Sequence, residues 1–217
     1  MRTPGEIEDA LNQDLAWRRT ELHSMLAQIR AARGPALSCL CRAGVALLYA
    51  HWEGYSKKAL SDYLKYVARR KLKTSELIDC FVAMSLEAKI AKEQDMSKAR
   101  RSIFRVALLR DSVDIRPHIP SGDGVDTQSN LNSDLCFEIM QSLGLDPSAF
   151  ETKRMLMDYS LLAARNKIAH GEYISIDRGD YESLHYDVIS MIETMKNIIM
   201  DAVDNRKYRK RVASASE

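Results

Sequence analysis

The stretch "LLYAHWEGYSKKALSDYLKYV", residues 47–67, decides the fold. Its Leu48, Trp52, Tyr55, Ala59, Tyr63 and Tyr66 recur at steps of three and four, the period of one face of an α-helix. Followed upstream, the stripe continues through Leu37, Cys41 and Gly44. The spacing predicts one helix of about thirty residues, roughly 45 Å long.

The flanking sequence asks for the same kind of structure. Prolines stand at 4, 35, 117, 120 and 147, which leaves 36–116 and 148–217 free of the strongest helix breaker. Thr3-Pro4-Gly5-Glu6 reads as a capping box with proline in the first turn, opening a helix that carries Ile7, Leu11, Leu15, Leu22, Leu26 and Ile29 on one face. Gly34-Pro35 ends it. Further helices are expected from Thr74, over about 97–110, and from Ser133 to near Gly144. Asp146-Pro147 opens the next segment, where Met155, Tyr159, Leu162 and Ile168 suggest an apolar face. Asp177 or Asp180 begins the last helix, whose Leu184, Val188, Met191, Met195, Ile198 and Ala202 alternate by four and three as a heptad seam.

Residues 115–132, "IRPHIPSGDGVDTQSNLN", hold proline, glycine and turn formers without periodicity and read as a connecting loop, with room for a short strand pair. "EYISID" at 172–177 alternates, but one short segment cannot make a sheet. The reading is all-α: an up-down helical bundle built on long antiparallel helices, one domain over 1–205, followed by a basic and then polar tail over 206–217.

Composition limits the function classes. Hydrophobic residues make up 46% of the 217, enough for a sizeable core. With 32 Lys and Arg against 30 Asp and Glu the net charge is +2, so attraction to a polyanion must come from local clusters. No apolar run is long enough to cross a bilayer, and Glu6, Glu8 and Asp9 do not suit a signal peptide, so the chain reads as cytoplasmic. Cys39, Cys41, Cys80 and Cys136 read as free thiols, no zinc-site spacing occurs, and neither metal nor cofactor is expected.

The chemistry concentrates in "LLAARNKIAHGEY", residues 161–173. Gly171 suits the left-handed residue that closes a helix, which places His170 in the last turn, where the negative end of the helix dipole favours imidazolium. Asn166 shares the face of His170, while Arg165, five residues earlier, stands about 140° around the helix. Taken alone, such basic residues complement a helix dipole. "RNKIAHG", however, resembles the R-x-x-x-x-H motif of the HEPN superfamily, all-α domains named for higher eukaryotes and prokaryotes nucleotide-binding. Residues 47–67 resemble the long second helix of one prokaryotic HEPN branch found near defence and toxin-type genes, and "VDTQSNLNSDLCFEIMQSLGLD" at 125–146 resembles the stretch before its motif helix. The likeness spans most of 5–205.

The resemblance implies a metal-independent endoribonuclease, acting as a homodimer in which two motifs meet, with Arg165, His170 and Asn166 as catalytic residues. Attack of RNA's own 2′-hydroxyl on the adjacent phosphate needs a proton acceptor, a proton donor and a cation, and a two-fold dimer supplies two of each residue. Glu53 on the long helix, Lys167 and Tyr173 are supporting candidates, Glu53 as a carboxylate that could orient Arg165. In one HEPN group a tyrosine two residues after the histidine is modified by a partner enzyme. Here Tyr173 lies three after His170, so that control is not carried over.

His23, His51, His118 and His185 read as surface or packing residues, with His51 kept in reserve. Candidate phosphate contacts lie in "RRKLK" (Arg69, Arg70, Lys71), in "ARRSIFR" (Arg100, Arg101, Arg105) and in "RKYRKR" at 206–211, with Phe104 or Tyr208 free to stack on a base. Between Arg116 and Lys153 there is no Lys or Arg, while Asp123, Asp126, Asp134, Glu138, Asp146 and Glu151 would repel RNA. Two other readings keep the fold: a catalytically silent dimer that binds nucleotide or a partner protein, and the companion or antitoxin of a neighbouring toxin.

Overall fold

Thr3 opens the first helix through its side chain: Oγ1 accepts the Glu6 amide at 3.1 Å. The Glu6 carboxylate reaches back to the Arg2 amide at 2.7 Å, one residue before the one a capping box engages. In this computed structural model, which describes residues 1–93, 96–111, 114–122 and 124–211, α1 runs Pro4–Ala31 and α2 Gly34–Arg69. Pro35 sits in the first turn of α2, where its missing N–H costs nothing. At 36 residues α2 is about 54 Å long, longer than its apolar stripe alone requires.

Short helices follow: α3 Asp79–Ile90, α4 Lys98–Asp111 and α5 Ser133–Ser142. Thr74 starts a single 3₁₀ turn, Thr74–Glu76, ahead of α3. The motif segment is not one helix. A 3₁₀ stretch, Ser148–Lys153, leads into a π-helix, Leu156–Ala163, which passes directly into α6, Ala164–Ala169. Finally α7 runs Arg178–Asp204, capped by the Asp177 carboxylate, which accepts the Asp180 amide at 2.8 Å. Among the described residues there is no strand, and 172–177 forms none. No helix among them is long and apolar enough to cross a membrane.

The bundle rests on α1, α2 and α7. Ile29 lies beside Gly44, and Arg18 beside His51, so α1 and α2 are antiparallel. Arg30 pairs with Glu182 and Arg19 with Glu193, which sets α1 antiparallel to α7 as well. It follows that α2 and α7 run parallel, with Gly44 against Tyr181 at one end and Tyr66 against Tyr208 at the other. The stripe Gly44, Leu48, Trp52, Tyr55, Ala59, Tyr63 and Tyr66 is buried throughout, as its spacing predicts. A Cβ at Gly44 would stand 2.5 Å from the Tyr181 ring, so the residue is what lets α2 approach α7.

Along α7 the heptad seam holds at Leu184, Val188, Met191 and Met195, then drifts: Ile199 is buried and Ile198 only half-buried. A straight helix turns about 20° per heptad away from a strict seven-residue repeat, which accounts for the shift. The seam faces the protomer's own core.

Residues 206–211 do not form a free tail. Lys210 donates its amide to the Glu76 carbonyl at 2.8 Å, Arg209 pairs with the Glu76 carboxylate, and Tyr208 is buried edge-on against Tyr66. Tyr208 is therefore unavailable to an RNA base. The polar end 212–217 and Asp123 lie outside the described residues.

Candidate active site

The termination of α6 follows from its sequence. The Glu172 amide donates to the Lys167 carbonyl at 2.9 Å and the Gly171 amide to that of Ile168 at 3.1 Å, a Schellman closure with Gly171 at φ +76°. His170 is the C-cap residue itself. Its side chain is exposed and has no protein partner among the described residues. Lys167 is also exposed, and the Asn166 carbonyl accepts the His170 amide at 3.0 Å.

Arg165 turns the other way, toward α2. Its guanidinium lies over the Tyr49 ring, 4.3 Å from the centroid, and Nη2 donates to the Ser129 carbonyl at 2.7 Å and to Asn130 Oδ1 at 3.3 Å. Nε is buried without a hydrogen-bond partner among the described residues. The ring face attracts the cation, and the two acceptors fix the plane of its fork. Within one protomer Arg165 and His170 thus diverge, as their angular separation requires.

The loop that meets Arg165 is itself tied to α2 along one stripe. Val125 donates its amide to Ser61 Oγ at 2.8 Å, Thr127 Oγ1 donates to Glu53 at 2.8 Å, and the Leu131 amide donates to the Tyr49 hydroxyl at 2.8 Å. Between these anchors the chain makes a tight turn in which Asn130 N–H donates to Thr127 C=O, with Gln128 and Ser129 at φ +53° and +54°. Two successive left-handed residues define a type I′ turn, which glycine, asparagine and aspartate favour. Here Asp126 Oδ1 steadies the turn by accepting the Gln128 amide at 2.8 Å. Glu53 does not pair with Arg165. Its carboxylate holds the loop that holds the guanidinium.

The expected apolar face of the motif segment is corrected. Met155 is 68% and Tyr159 65% exposed, whereas Met157, Leu161 and Ala164 are buried. The core-facing residues Met157, Leu161 and Ala164 still step by four and three, the ordinary helical spacing, so the segment is rotated by about two residues, roughly 200°, from the expected face. At the same segment the Asp158 carboxylate accepts both the amide and the hydroxyl of buried Ser133, each at 2.7 Å, pinning the π turn to the start of α5. Tyr173 is 77% exposed beside Arg42, whose Nη2 donates to the Glu172 carbonyl at 3.0 Å.

His51 is excluded from this site by position. It is buried between α1 and α2, with Nε2 2.7 Å from the Glu21 carboxylate and Nδ1 3.3 Å from Arg18 Nη1. Burial and the Arg18 cation hold it below the usual imidazole range. Of the basic candidates, Arg70 stacks on Tyr66, Arg101 donates to the Met96 carbonyl, and Arg105 pairs with buried Glu93. Arg69, Lys71 and Arg100 are exposed. Arg69 stands about 30 Å along α2 from Tyr49, so this basic end does not line the motif.

Sequence reading missed Tyr49, Ser129, Asn130 and Arg42. The four-residue spacing of Tyr49 and Glu53 on α2 was the available signal for Tyr49; a loop carbonyl such as that of Ser129 leaves none.

Compared with known proteins, the chain matches the sequence model of the RiboL-PSP-HEPN family over residues 13–201. No curated protein and no solved structure matches it.

Proposed function

Because the chain belongs to the RiboL-PSP-HEPN family, whose domain type is generally a ribonuclease or a nucleotide binder, we propose that it is a metal-independent endoribonuclease working as a two-fold dimer. The observation that carries the reading is the divergence of two groups from one helix end: a guanidinium held in fixed orientation and an unpartnered, exposed imidazole. Two copies related by a two-fold axis through α6 would face two imidazoles and two guanidiniums across one cleft. The exposed side chains of Met155 and Tyr173 beside the motif supply apolar surface for such a contact.

In the reaction, one His170 takes the proton of the RNA 2′-hydroxyl as its oxygen bonds to the adjacent phosphorus. The bond from phosphorus to the 5′-oxygen breaks, and the second His170, in its imidazolium form, protonates that oxygen. The products are a 2′,3′-cyclic phosphate and a 5′-hydroxyl. Arg165 directs its guanidinium charge at the phosphorane, whose charge exceeds that of the diester, so the interaction favours the transition state. Asn166 and Lys167 add a donor and a charge at the cleft, and Glu53 acts through the Thr127 loop. A role as a toxin or defence effector, with an antitoxin as partner, belongs to the same proposal.

One observation favours a second reading, a silent dimer that binds nucleotide or a partner protein: Arg165 already spends Nη2 on a protein carbonyl. Cleavage of a long end-labelled RNA in excess EDTA separates them. The wild-type chain should cut, and His170→Ala should lose about a hundredfold to ten-thousandfold in rate. No cutting by either protein transfers the function to the silent dimer.

A further inference from the structure

Beside the motif lies a cavity of about 340 Å³ between the π-helix, the 172–177 segment and α7, within the size range of ligand pockets. Its existence follows from two features already described. Tyr159 is exposed and lines the cavity, and the segment after Gly171 alternates, turning the half-buried Ile174 and Ile176 inward with no partner strand among the described residues to cover them.

The polar lining is selective. Asp187 is neutralised by Lys153 at 2.7 Å, whereas the Asp180 carboxylate has no hydrogen-bond or ion-pair partner among the described residues. The Ser160 and Ser183 hydroxyls stand in the same wall. Val45 lines the cavity, one helical turn (~6 Å of rise) before Tyr49 on α2, the residue whose ring carries Arg165. Ala164, adjacent to Arg165, lines it as well.

We propose that this cavity is a base subsite that receives a guanine of single-stranded RNA next to the phosphate held by Arg165, with Asp180 reading its Watson–Crick edge and Tyr159 stacking on its face. The assignment rests on the ribonuclease reading above for the phosphate, and on the cavity alone for the base. An ionised carboxylate only accepts, and it can accept two bonds side by side. Guanine alone offers two adjacent donors, N1–H and the N2 amine. Adenine and cytosine pair one amine with an acceptor nitrogen that a carboxylate repels, and uracil sets its one N–H between two carbonyls. Single-stranded RNA is read by this combination of an aromatic platform and edge hydrogen bonds.

The test uses the full chain and three-nucleotide RNAs carrying 2′-O-methyl groups, which block attack and leave binding measurable. They differ only in the central base: guanine, hypoxanthine, adenine, cytosine or uracil. The guanine ligand should bind at least about tenfold tighter than the rest, the worth of one good bidentate pair. Hypoxanthine, which keeps N1–H but lacks the N2 amine, should fall between guanine and adenine. Asp180→Asn, nearly isosteric, should abolish the preference, and Tyr159→Ala should weaken all five ligands, both with unchanged thermal unfolding. Equal affinity for all bases, no binding, or a guanine preference that survives Asp180→Asn would overturn the subsite. Guanine preference without cleavage of unprotected RNA keeps the subsite and removes the nuclease; cleavage without guanine preference does the reverse.

Discussion

The guanidinium of Arg165 rests 4.3 Å from the ring centroid of Tyr49, and the hydroxyl of that ring accepts the amide of Leu131, so one tyrosine holds both the motif and the loop that clasps it. The phenol is buried, and burial raises it above its ordinary range, which keeps it neutral and able to accept. Removing its two functions separately gives the first prediction. Tyr49→Phe keeps the cation over a ring but leaves the Leu131 amide unpaired, and should cost about 1–3 kcal/mol in urea unfolding. Arg165→Lys keeps the charge but loses the fork and the stack; it should leave unfolding nearly unchanged while RNA cleavage falls by about tenfold or more.

The turn at Gln128 and Ser129 holds two residues in the left-handed region, where side chains other than those of glycine and asparagine are strained. Replacing Gln128 with Gly should stabilise the folded state by roughly 0.5–1 kcal/mol, the strain relieved exceeding glycine's added chain entropy. Chemical denaturation reads this directly. A loss of stability would mean that the Gln128 side chain makes a contribution its backbone angle does not reveal.

At Gly44 the opposite holds, because space rather than backbone angle is limiting. Gly44→Ala places a methyl group 2.5 Å from the Tyr181 ring and 3.1 Å from Ile29, so α2 must part from α7 or the ring must leave its rotamer. The expected cost is about 1–3 kcal/mol, despite alanine's better helix propensity. Thermal unfolding of Gly44→Ala, and of Gly44→Ala with Tyr181→Leu, checks the mechanism: the second change should recover part of the loss.

His185 on α7 is fully buried with neither ring nitrogen bonded among the described residues, and it faces His23 at 5.2 Å between centroids. Burial first, and the His23 charge second, push it down to about 4 from an ordinary 6.5. Between those values the unfolded chain holds a proton that the folded chain refuses, so stability is complete above about pH 6.5 and is lost as the pH falls toward 4. The loss attributable to this residue should be on the order of 1–3 kcal/mol. His185→Phe should flatten the stability profile over that window, and an unchanged slope would assign the acid sensitivity to another group.

Much of the architecture was legible in the sequence because it depends on periodicity and punctuation. The stripe from Gly44 to Tyr66, the seam from Leu184 to Met195, the cap at Thr3, the start at Asp177 and the closure at Gly171 are all local rules, and each appears in the folded chain. Those rules concern one helix at a time, so the sequence by itself determined the three long helices, their main start and stop signals, and that Arg165 and His170 point different ways from the same helix end.

Only tertiary structure decided what those side chains meet. No local propensity announces the π-helix over Leu156–Ala163, and which face of the segment is buried, Met157 and Leu161 rather than Met155 and Tyr159, depends on Asp158 reaching Ser133 on another element. The partners of Arg165 are a ring from α2 and a carbonyl from the 125–131 loop, brought together by hydrogen bonds from Ser61, Glu53 and Tyr49. The docking of 206–211 onto Glu76 is of the same kind. Backbone carbonyls are identical at every position, so which one a distant guanidinium finds depends on packing, and packing is a property of the assembled bundle rather than of any stretch within it.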